Sequence, residues 1–252
     1  VGGVAATGTI TDDDAAPSIS TVSSSSAAEA SAITHTVTLS NASSVDTTFA
    51  LTLEDGTATG GTDYTSTLTN AAFNNGVTIS GSTLTVPAGV TSFTVTVPTT
   101  GDSINEANET YTLNVGGVSG TGTINDDDGT PTIASVISDT QTEGTSLVHT
   151  VTLSNASTSS TSFAYTQGGG TATGGGVDYT TPPTFSDGVT LVAGNLIVPA
   201  GVVSFTITTP TTLDTIDEGA NETYNLSVGG VAATGTITDD DAAPSISTVS
   251  SS

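Results

Sequence analysis

The sequence of 252 residues contains no lysine and no arginine, against 25 acidic residues, so its formal net charge is -25. Nucleic acids and anionic membranes are bound largely through lysine and arginine, so the composition excludes both as partners. Ion pairs between acidic side chains and lysine or arginine are excluded by the same count. The negative charge is therefore balanced by metal ions, protons or solvent counterions.

Cysteine is also absent, so neither disulfides nor thiolate metal ligands contribute to the fold. There is no apolar run of about 18 residues, as a membrane span needs, and no basic segment typical of a signal peptide. Aromatic residues make up only 4% of the chain and no nucleophile–base pair is visible, so we expect no enzymatic activity. A chain that offers trypsin-like proteases no cleavage site fits an extracellular location at a cell surface.

Internal repeats are the most prominent feature of the sequence. Residues 1–25 are identical to residues 228–252, and a weaker repeat of half that length returns HTVTLSNAS at 35–43 and 149–157 and NETY at 108–111 and 221–224. We therefore predict two complete repeats, 15–128 and 129–241. Residues 1–14 are then the last strand and acidic triplet of a preceding repeat, and residues 242–252 the first strand of a following one. The native protein is expected to be longer, with neighbouring repeats as partners.

Apolar residues alternate with Thr and Ser along each repeat, as in AITHTVTLS, STLTVP and SFTVTVP. This period of two predicts an all-β fold: tandem immunoglobulin-like antiparallel β-sandwiches of about seven strands each. A disordered Ser/Thr-rich stalk is the alternative, but disorder does not require alternation that stays in phase over several segments. His35 and His149 fall on the inward side of their strands, where we expect packed residues with locally satisfied ring nitrogens.

Acidic residues recur at matched positions of the two repeats. Loops that join alternate strand pairs of a sandwich gather at one end, so these acids are expected to meet there. The matched residues are Glu29 and Glu143, Asp63 and Asp178, Asp102 and Asp214, Glu106 and Glu218, and the triplets Asp126, Asp127, Asp128 and Asp239, Asp240, Asp241.

Such a cluster predicts a bound cation. Two carboxylates about 4 Å apart repel by roughly 4 kcal/mol at an effective dielectric constant near 20, so several together need a counterion. Oxygen ligands without His or Cys select Ca²⁺ or Mg²⁺, and many flexible carboxylates favour Ca²⁺. Asp63 and Asp178 are equally suited to capping turns, because Asp readily bonds its own backbone there.

Four segments in this order resemble the Calx-β domain: EDGTATGGTDYT at 54–65, LTVPAGVTSFTVTVP at 84–98, DSINEANETYTLNVGG at 102–117 and GTINDDD at 122–128. The amino-acid sequences of these segments are most similar to those of tandem arrays in giant bacterial surface adhesins secreted by the type I route. The resemblance covers both repeats almost end to end. It implies calcium ions at the C-terminal end of each sandwich.

The resemblance also implies the calcium ligands. In the first repeat they are Glu29, Asp55, Asp102, Glu106, Asp126, Asp127 and Asp128, and in the second Glu143, Asp214, Glu218, Asp239, Asp240 and Asp241. Gly169 replaces the counterpart of Asp55, so fewer or weaker ions are expected in the second repeat unless Asp217 compensates. Asp12, Asp13 and Asp14 belong to a site whose other members are missing from the sequence.

The expected function is that of a structural extender of a cell-surface adhesin or surface filament, stiffened by calcium where one repeat meets the next. Two alternatives stay open. One is a self-assembling filament or surface-layer subunit that shares strands with its neighbours, and the other is a calcium-sensing regulatory module. The receptor is not identified by the sequence.

Overall fold

The computed structural model describes residues 3, 5, 7–11 and 13–249. It divides the chain into two compact units, which are described separately. Unit 1 comprises Val1–Asp102 and Asn108–Asp127, and unit 2 comprises Ser103–Ala107 and Asp128–Ser252. A short segment from the last quarter of the first sequence repeat therefore belongs to unit 2.

The described residues form 21 strands and one 3-10 helix, Asn70–Ala72. In chain order the strands are β1 (Ile19–Val22), β2 (Ser25–Ala28), β3 (Ala32–Leu39), β4 (Thr47–Asp55), β5 (Thr78–Ser80), β6 (Thr83–Val86), β7 (Ser92–Pro98), β8 (Ile104–Asn105), β9 (Glu109–Val115), β10 (Val118–Asn125), β11 (Ile133–Val136), β12 (Asp139–Thr142), β13 (Leu147–Leu153), β14 (Ala156–Ser157), β15 (Thr161–Gly168), β16 (Thr184–Phe185), β17 (Thr190–Val192), β18 (Asn195–Val198), β19 (Ser204–Thr209), β20 (Glu222–Val228) and β21 (Val231–Thr238). The all-β prediction is confirmed.

Unit 1 consists of a three-stranded sheet, β1-β3-β7, and a six-stranded sheet, β2-β10-β9-β4-β6-β5. All seven predicted strands are present, and two more are added. One addition, β2, follows closely after β1: β1 pairs antiparallel with β3, and β2 joins the other sheet parallel to β10. The other addition, β5, extends the second sheet beyond β6.

Unit 2 repeats this arrangement with a four-stranded sheet, β11-β13-β19-β16, and a six-stranded sheet, β12-β21-β20-β15-β18-β17. The short strand β8 pairs in parallel with β14 as a separate two-stranded sheet. The strands expected in the flanking segments are not formed at 7–11 or 242–249. A single strand has no hydrogen-bonding partner of its own, so both stay predictions for an array in which the partners are present.

The apolar residues of the alternating pattern lie inside each unit. In unit 1, Ile33, Val37, Phe93 and Leu113 belong to one core, and the Thr residues between them point outward. Unit 2 has an equivalent core of its own. Burying each large aliphatic or aromatic side chain contributes about 1.5–3 kcal/mol, so the pattern of strands is set mainly by this burial.

A buried histidine and tyrosine form the same pair in both units. The Nδ1 atom of His35 lies 2.7 Å from the carbonyl oxygen of Ser23, and its Nε2 atom lies 2.9 Å from the hydroxyl of Tyr111. A carbonyl only accepts, so Nδ1 carries the hydrogen and Nε2 accepts from the tyrosine. His149 bonds Ile137 and Tyr224 in the same way. Burial lowers the pKa of both histidines, which are packing residues, as predicted.

Candidate metal centre

Two parallel strands bring acidic residues together in unit 2. β12 and β21 pair with Thr142 opposite Thr238, and each strand is followed directly by an acid, Glu143 or Asp239. The amide of Glu143 donates to the carbonyl of Thr238 at 3.1 Å, which extends the pairing by one residue. Strand register therefore places these two carboxylates side by side, although 96 positions separate them in the sequence.

Glu143, Asp239 and Asp241 form what we call the Glu143 cluster, in which one carboxylate oxygen of each lies within 4.8 Å of the others. Glu143 is only 6% exposed, and its Oε1 atom has no hydrogen-bond partner. The Oδ2 atom of Asp241 is also buried without a partner. A buried carboxylate oxygen without a donor is costly, so this cluster fits a cation that would satisfy these atoms.

The charges of the Glu143 cluster oppose one another. Burial raises the pKa of Glu143, a hydrogen bond from the backbone of Asp214 opposes that rise, and the charges of Asp214, Asp241 and Asp240 raise the pKa further. Burial and the charges of Asp239, Asp240 and Asp214 likewise raise the pKa of Asp241, while a hydrogen bond with the side chain of Glu143 lowers it. The chain has no basic residue to offset this repulsion, so only protons or a cation relieve it.

Asp239 differs from its neighbours because the backbone already holds it. Its Oδ1 atom accepts from the amide of Asp241 at 3.0 Å, and its Oδ2 atom accepts from the amides of Glu218 and Gly219 at 3.1 and 3.3 Å. These hydrogen bonds lower the pKa of Asp239, so it is ionised and fixed in position. It is a preorganised member of the cluster.

A second group, the Glu222 cluster, consists of Asp178, Glu218 and Glu222, again with carboxylate oxygens within 4.8 Å of one another. Asp178 is held in a turn, where its side chain accepts from the amide of Thr173, and Glu222 is the first residue of β20. Burial, then the nearby Asp178 and Glu218, raise the pKa of Glu222 to about 7. Its Oε2 atom is buried without a partner.

Glu222→Gln is expected to remove a pH dependence of stability measured without divalent cations. In the unfolded chain Glu222 ionises at its ordinary pKa near 4.5, whereas in the folded chain it keeps its proton up to about 7. The unfolded state therefore binds fewer protons in this window, and stability falls as the pH rises from about 4.5 to 7. The glutamine variant should match wild type at pH 4 and exceed it at pH 8 by about 1 kcal/mol, after discounting for solvent screening.

Differential scanning calorimetry in chelator at both pH values measures this difference. Asp187→Asn is the matched control, because Asp187 is an exposed acid of unit 2 that belongs to neither cluster. The control should follow the wild-type pH profile. A glutamine variant whose profile also follows wild type would contradict the prediction.

The other predicted ligands of unit 2 lie close to these clusters. The charge of Asp214 acts on both Glu143 and Glu218. Asp217 accepts from the amide of Gly219 at 3.0 Å, and a hydrogen bond with its side chain helps to lower the pKa of Asp239. Asp240 is exposed. Asp178, expected either to bind metal or to cap a turn, caps a turn and also belongs to the Glu222 cluster.

In unit 1 the same register places Glu29 beside Asp126. β2 and β10 are parallel with Ala28 opposite Asn125, and the amide of Glu29 donates to the carbonyl of Asn125 at 3.1 Å. The amide of Asp102 donates to Oε2 of Glu29 at 3.4 Å, which brings a third predicted ligand to this end. Asp127 is exposed. Glu106 and Asp128 belong to unit 2.

Asp55 and Asp63 hold the turn that follows β4. The Oδ1 atom of Asp55 accepts from the hydroxyl of Tyr64 at 2.6 Å and from the amide of Gly60 at 2.8 Å, and these hydrogen bonds lower its pKa. Asp63 caps the turn by accepting from the amide of Thr59 at 2.7 Å. Asp13 and Asp14 are exposed, and Asp12 lies outside the described residues.

Sequence reasoning missed Glu222. The signal was present, because Glu222 is the acid of the second NETY motif, which marks the internal repeat. Its first-repeat counterpart is Glu109. In the sequence both motifs indicate repetition and nothing more, since an acid at the start of a strand usually faces solvent.

Comparison with known proteins agrees with the motifs. The Calx-beta domain family model matches residues 12–141 and 135–249, while a search of curated proteins found no match. Among solved structures, the chain is similar to calcium binding domain CBD12 of CALX1.1, with 16% identity over 84% of this chain and 80% of that chain and a TM-score of 0.35. CBD12 from CALX1.2 has 15% identity, coverage of 84% and 79%, and a TM-score of 0.36. The apo-form Calx CBD1 domain has 20% identity, coverage of 44% and 96%, and a TM-score of 0.34.

The described residues contain no helix with the length and apolar character needed to cross a membrane.

Proposed function

This chain belongs to the Calx-beta domain family, and from that premise we propose that it is an extracellular, calcium-stabilised structural module without catalytic activity. It would extend a cell-surface adhesin or surface filament. The observation that carries the proposal is Glu143, a carboxylate that is only 6% exposed, has an unpartnered oxygen and lies against Asp239 and Asp241. In a chain without lysine or arginine, a hard cation is the fitting partner for that group.

The residues of unit 2 would hold calcium in two neighbouring places. Glu143, Asp239 and Asp241 would supply one set of carboxylate oxygens, and Asp178, Glu218 and Glu222 a second set. Asp214 and Asp240 add negative charge nearby. The ion would replace repulsion between carboxylates with attraction, so unit 2 would be more stable with calcium than without it. The ligands predicted for unit 1 remain part of the proposal, as does weaker binding in the second repeat.

Stiffening follows from where the acids lie. The triplet Asp126–Asp128 is separated from the next strand, β11 (Ile133–Val136), only by residues 129–132. A linker of four residues leaves little length for independent motion, and a cation among the acids that precede it would restrict that motion further. Calcium would thus convert a chain of repeats into a stiffer extender.

Calcium titration tests the proposal. Isothermal titration calorimetry on the full chain should detect binding with Kd values of about 10⁻⁴–10⁻³ M, the range of extracellular calcium modules, whereas a cytosolic sensor binds at about 10⁻⁷–10⁻⁵ M. The melting temperature should rise with calcium, and small-angle scattering should show a longer maximum dimension than in chelator. Absence of both binding heat and a thermal shift would refute a calcium role. Binding without a change in scattering would refute the extender.

A further inference from the structure

Unit 2 has polar side chains at three core positions where unit 1 has apolar ones. The strand registers match these positions in the two units: Leu51 with Tyr165, Leu53 with Gln167 and Val97 with Thr209. Thr209 is fully buried, as Val97 is. Burying a polar group costs free energy unless the group is hydrogen-bonded. The three exchanges are therefore explained together if the new side chains bond one another.

Hydrogen bonds link all three polar side chains. The Nε2 atom of Gln167 donates to Oγ1 of Thr209 at 2.9 Å, and the hydroxyl of Tyr165 donates to Oε1 of Gln167 at 2.9 Å. Gln167 lies on β15 of the six-stranded sheet, and Thr209 lies on β19 of the four-stranded sheet. A hydroxyl and a carboxamide thus meet across the interior of the sandwich, where Thr209 has no contact with solvent.

The buried histidine–tyrosine pair of unit 2 extends this group. Burial raises the pKa of Tyr224, and hydrogen bonds with the side chains of Thr209 and Gln167 oppose that rise. A hydrogen bond lowers the pKa of a phenol when it is donated to the phenol oxygen, so both side chains donate to Tyr224. Tyr224 in turn donates to Nε2 of His149 at 2.8 Å. The hydroxyl of Thr209 therefore begins a chain of hydrogen bonds that ends on a neutral imidazole.

These side chains have the parts that an acyl transfer needs. Thr209 is the nucleophile, Gln167 is the electrophile, and Tyr165 donates to the oxygen on which negative charge develops. Tyr224 contacts both the hydroxyl that loses a proton and the amide nitrogen that gains one. His149 acts only through Tyr224, so it is a positioning residue whose lone pair holds the proton. Because the residues lie on different strands, the sequence shows no nucleophile–base pair.

We propose that Thr209 and Gln167 form an ester bond that joins the two sheets of unit 2 and releases ammonia. Oγ1 of Thr209 attacks Cδ of Gln167 and forms the new C–O bond. The hydroxyl proton passes through Tyr224 to Nε2 of His149, while the oxyanion on Oε1 accepts from Tyr165. The bond between Cδ and Nε2 then breaks, and the proton returns through Tyr224 to the nitrogen, which leaves as ammonia.

The reaction occurs once within the chain and turns over no substrate. One amide and one hydroxyl yield one ester and one ammonia, without an oxidant or a cofactor. A cavity of about 430 Å³, lined by Tyr165, Gln167, Pro182 and Leu191 among others, lies beside the amide and can receive the ammonia. Exclusion of water protects the ester from hydrolysis.

The bond joins residues 42 positions apart and keeps β15 and β19 together when the chain is pulled. This covalent clamp goes beyond the proposed calcium function and needs no ion.

The intact mass of the full chain tests the proposal. Wild type should be lighter than its sequence mass by one ammonia. Thr209→Val and Gln167→Leu, which give unit 2 the side chains of unit 1, should each have the full sequence mass. Thr208→Val is the matched control, because Thr208 is the neighbour of Thr209 on β19 but faces the other way, and this variant should keep the loss. A wild-type chain of full mass, or a loss that Thr209→Val keeps, would overturn the ester.

Peptide mapping locates the bond. Asp178 and Asp187 lie between the two partners, so digestion at acidic residues places Gln167 and Thr209 on different peptides. These peptides should be found joined, and hydroxylamine, which cleaves esters, should separate them. Ammonia lost from an asparagine would leave the two peptides separate, and that result would also overturn the proposal.

The rate of ammonia loss tests the roles of the other side chains. The chain is made by cell-free synthesis in chelator and its intact mass is followed with time. Tyr165→Phe removes one oxyanion donor and should slow the loss by about 100-fold. An unchanged rate would exclude Tyr165 from the reaction.

A pH profile tests His149. Its side chain faces Tyr224, the carbonyl of Ile137 and the charge of Asp139. Burial lowers the pKa of His149 below 6.5, against the opposing effects of Ile137 and Asp139. The rate should therefore stay constant from about pH 8 down to pH 6.5 and fall only below it, where the imidazole becomes protonated. A rate that does not fall in acid would exclude His149. Because calcium is absent throughout, none of these results depends on the proposed calcium function.

Discussion

Glu143→Gln is expected to abolish most of the stabilisation that calcium gives to unit 2, while making unit 2 more stable than wild type in chelator. In chelator the variant removes the charge of a buried carboxylate whose pKa is raised by burial and by the charges of Asp214, Asp241 and Asp240, so the cost of ionising Glu143 disappears. In calcium it removes a charged ligand. At free calcium about 100 times Kd, one site contributes roughly 2.7 kcal/mol, and this is the stabilisation that the variant should lose.

Calorimetric unfolding of the full chain, with and without calcium, measures both effects. Asp187→Asn changes the same charge outside the acidic clusters and should keep the full calcium response. If Glu143→Gln kept that response as well, the Glu143 cluster would not be a calcium site. If it were less stable than wild type in chelator, the carboxylate would be satisfied by some contact other than a cation.

The strands were predictable because their alternation follows directly from burial on one face. Every strand expected in unit 1 exists, and the family indicated by the sequence motifs is confirmed. Strand β2 was not predictable, because the chain crosses from one sheet to the other between Val22 and Ser25 without any change in composition. Nor was β8, since two residues are too few to show a period.

The candidate site was predictable in part. Glu143 and Asp239 were predictable because each has an acidic counterpart at the matching position of the first repeat. The parallel register of β12 and β21 explains why they meet. Sequence alone does not show that the ends of β12 and β21 are neighbours, so it could not divide the acids of unit 2 into two clusters. The resemblance to the Calx-β domain implied a ligand role for Asp55, but it could not show that Tyr64 and Gly60 already donate hydrogen bonds to that carboxylate.

Gly235→Ala is expected to destabilise unit 2 by about 3 kcal/mol, which lowers its melting temperature by roughly 10 °C. Gly235 lies opposite Tyr224 in the pairing of β20 with β21, and the tyrosine ring occupies the space that a Cβ atom would need. The ring has nowhere to move, because His149 bonds its hydroxyl at 2.8 Å and Tyr179 packs on it with ring centroids 4.6 Å apart. The added methyl group must therefore distort the strands or break the buried histidine–tyrosine pair.

Gly129→Ala provides the matched control, since no atom lies within 4 Å of the Cβ position there and the change should be nearly neutral. A second background tests the cause. Tyr224→Leu removes the ring atoms that crowd Gly235, so Gly235→Ala should cost much less in that background than in wild type. Equal costs in the two backgrounds would show that the penalty arises from the backbone of β21 and not from the ring. Thermal unfolding of the four variants in calcium gives the coupling directly, and Gly122, which faces Tyr111 in unit 1, should behave in the same way because the arrangement is repeated there.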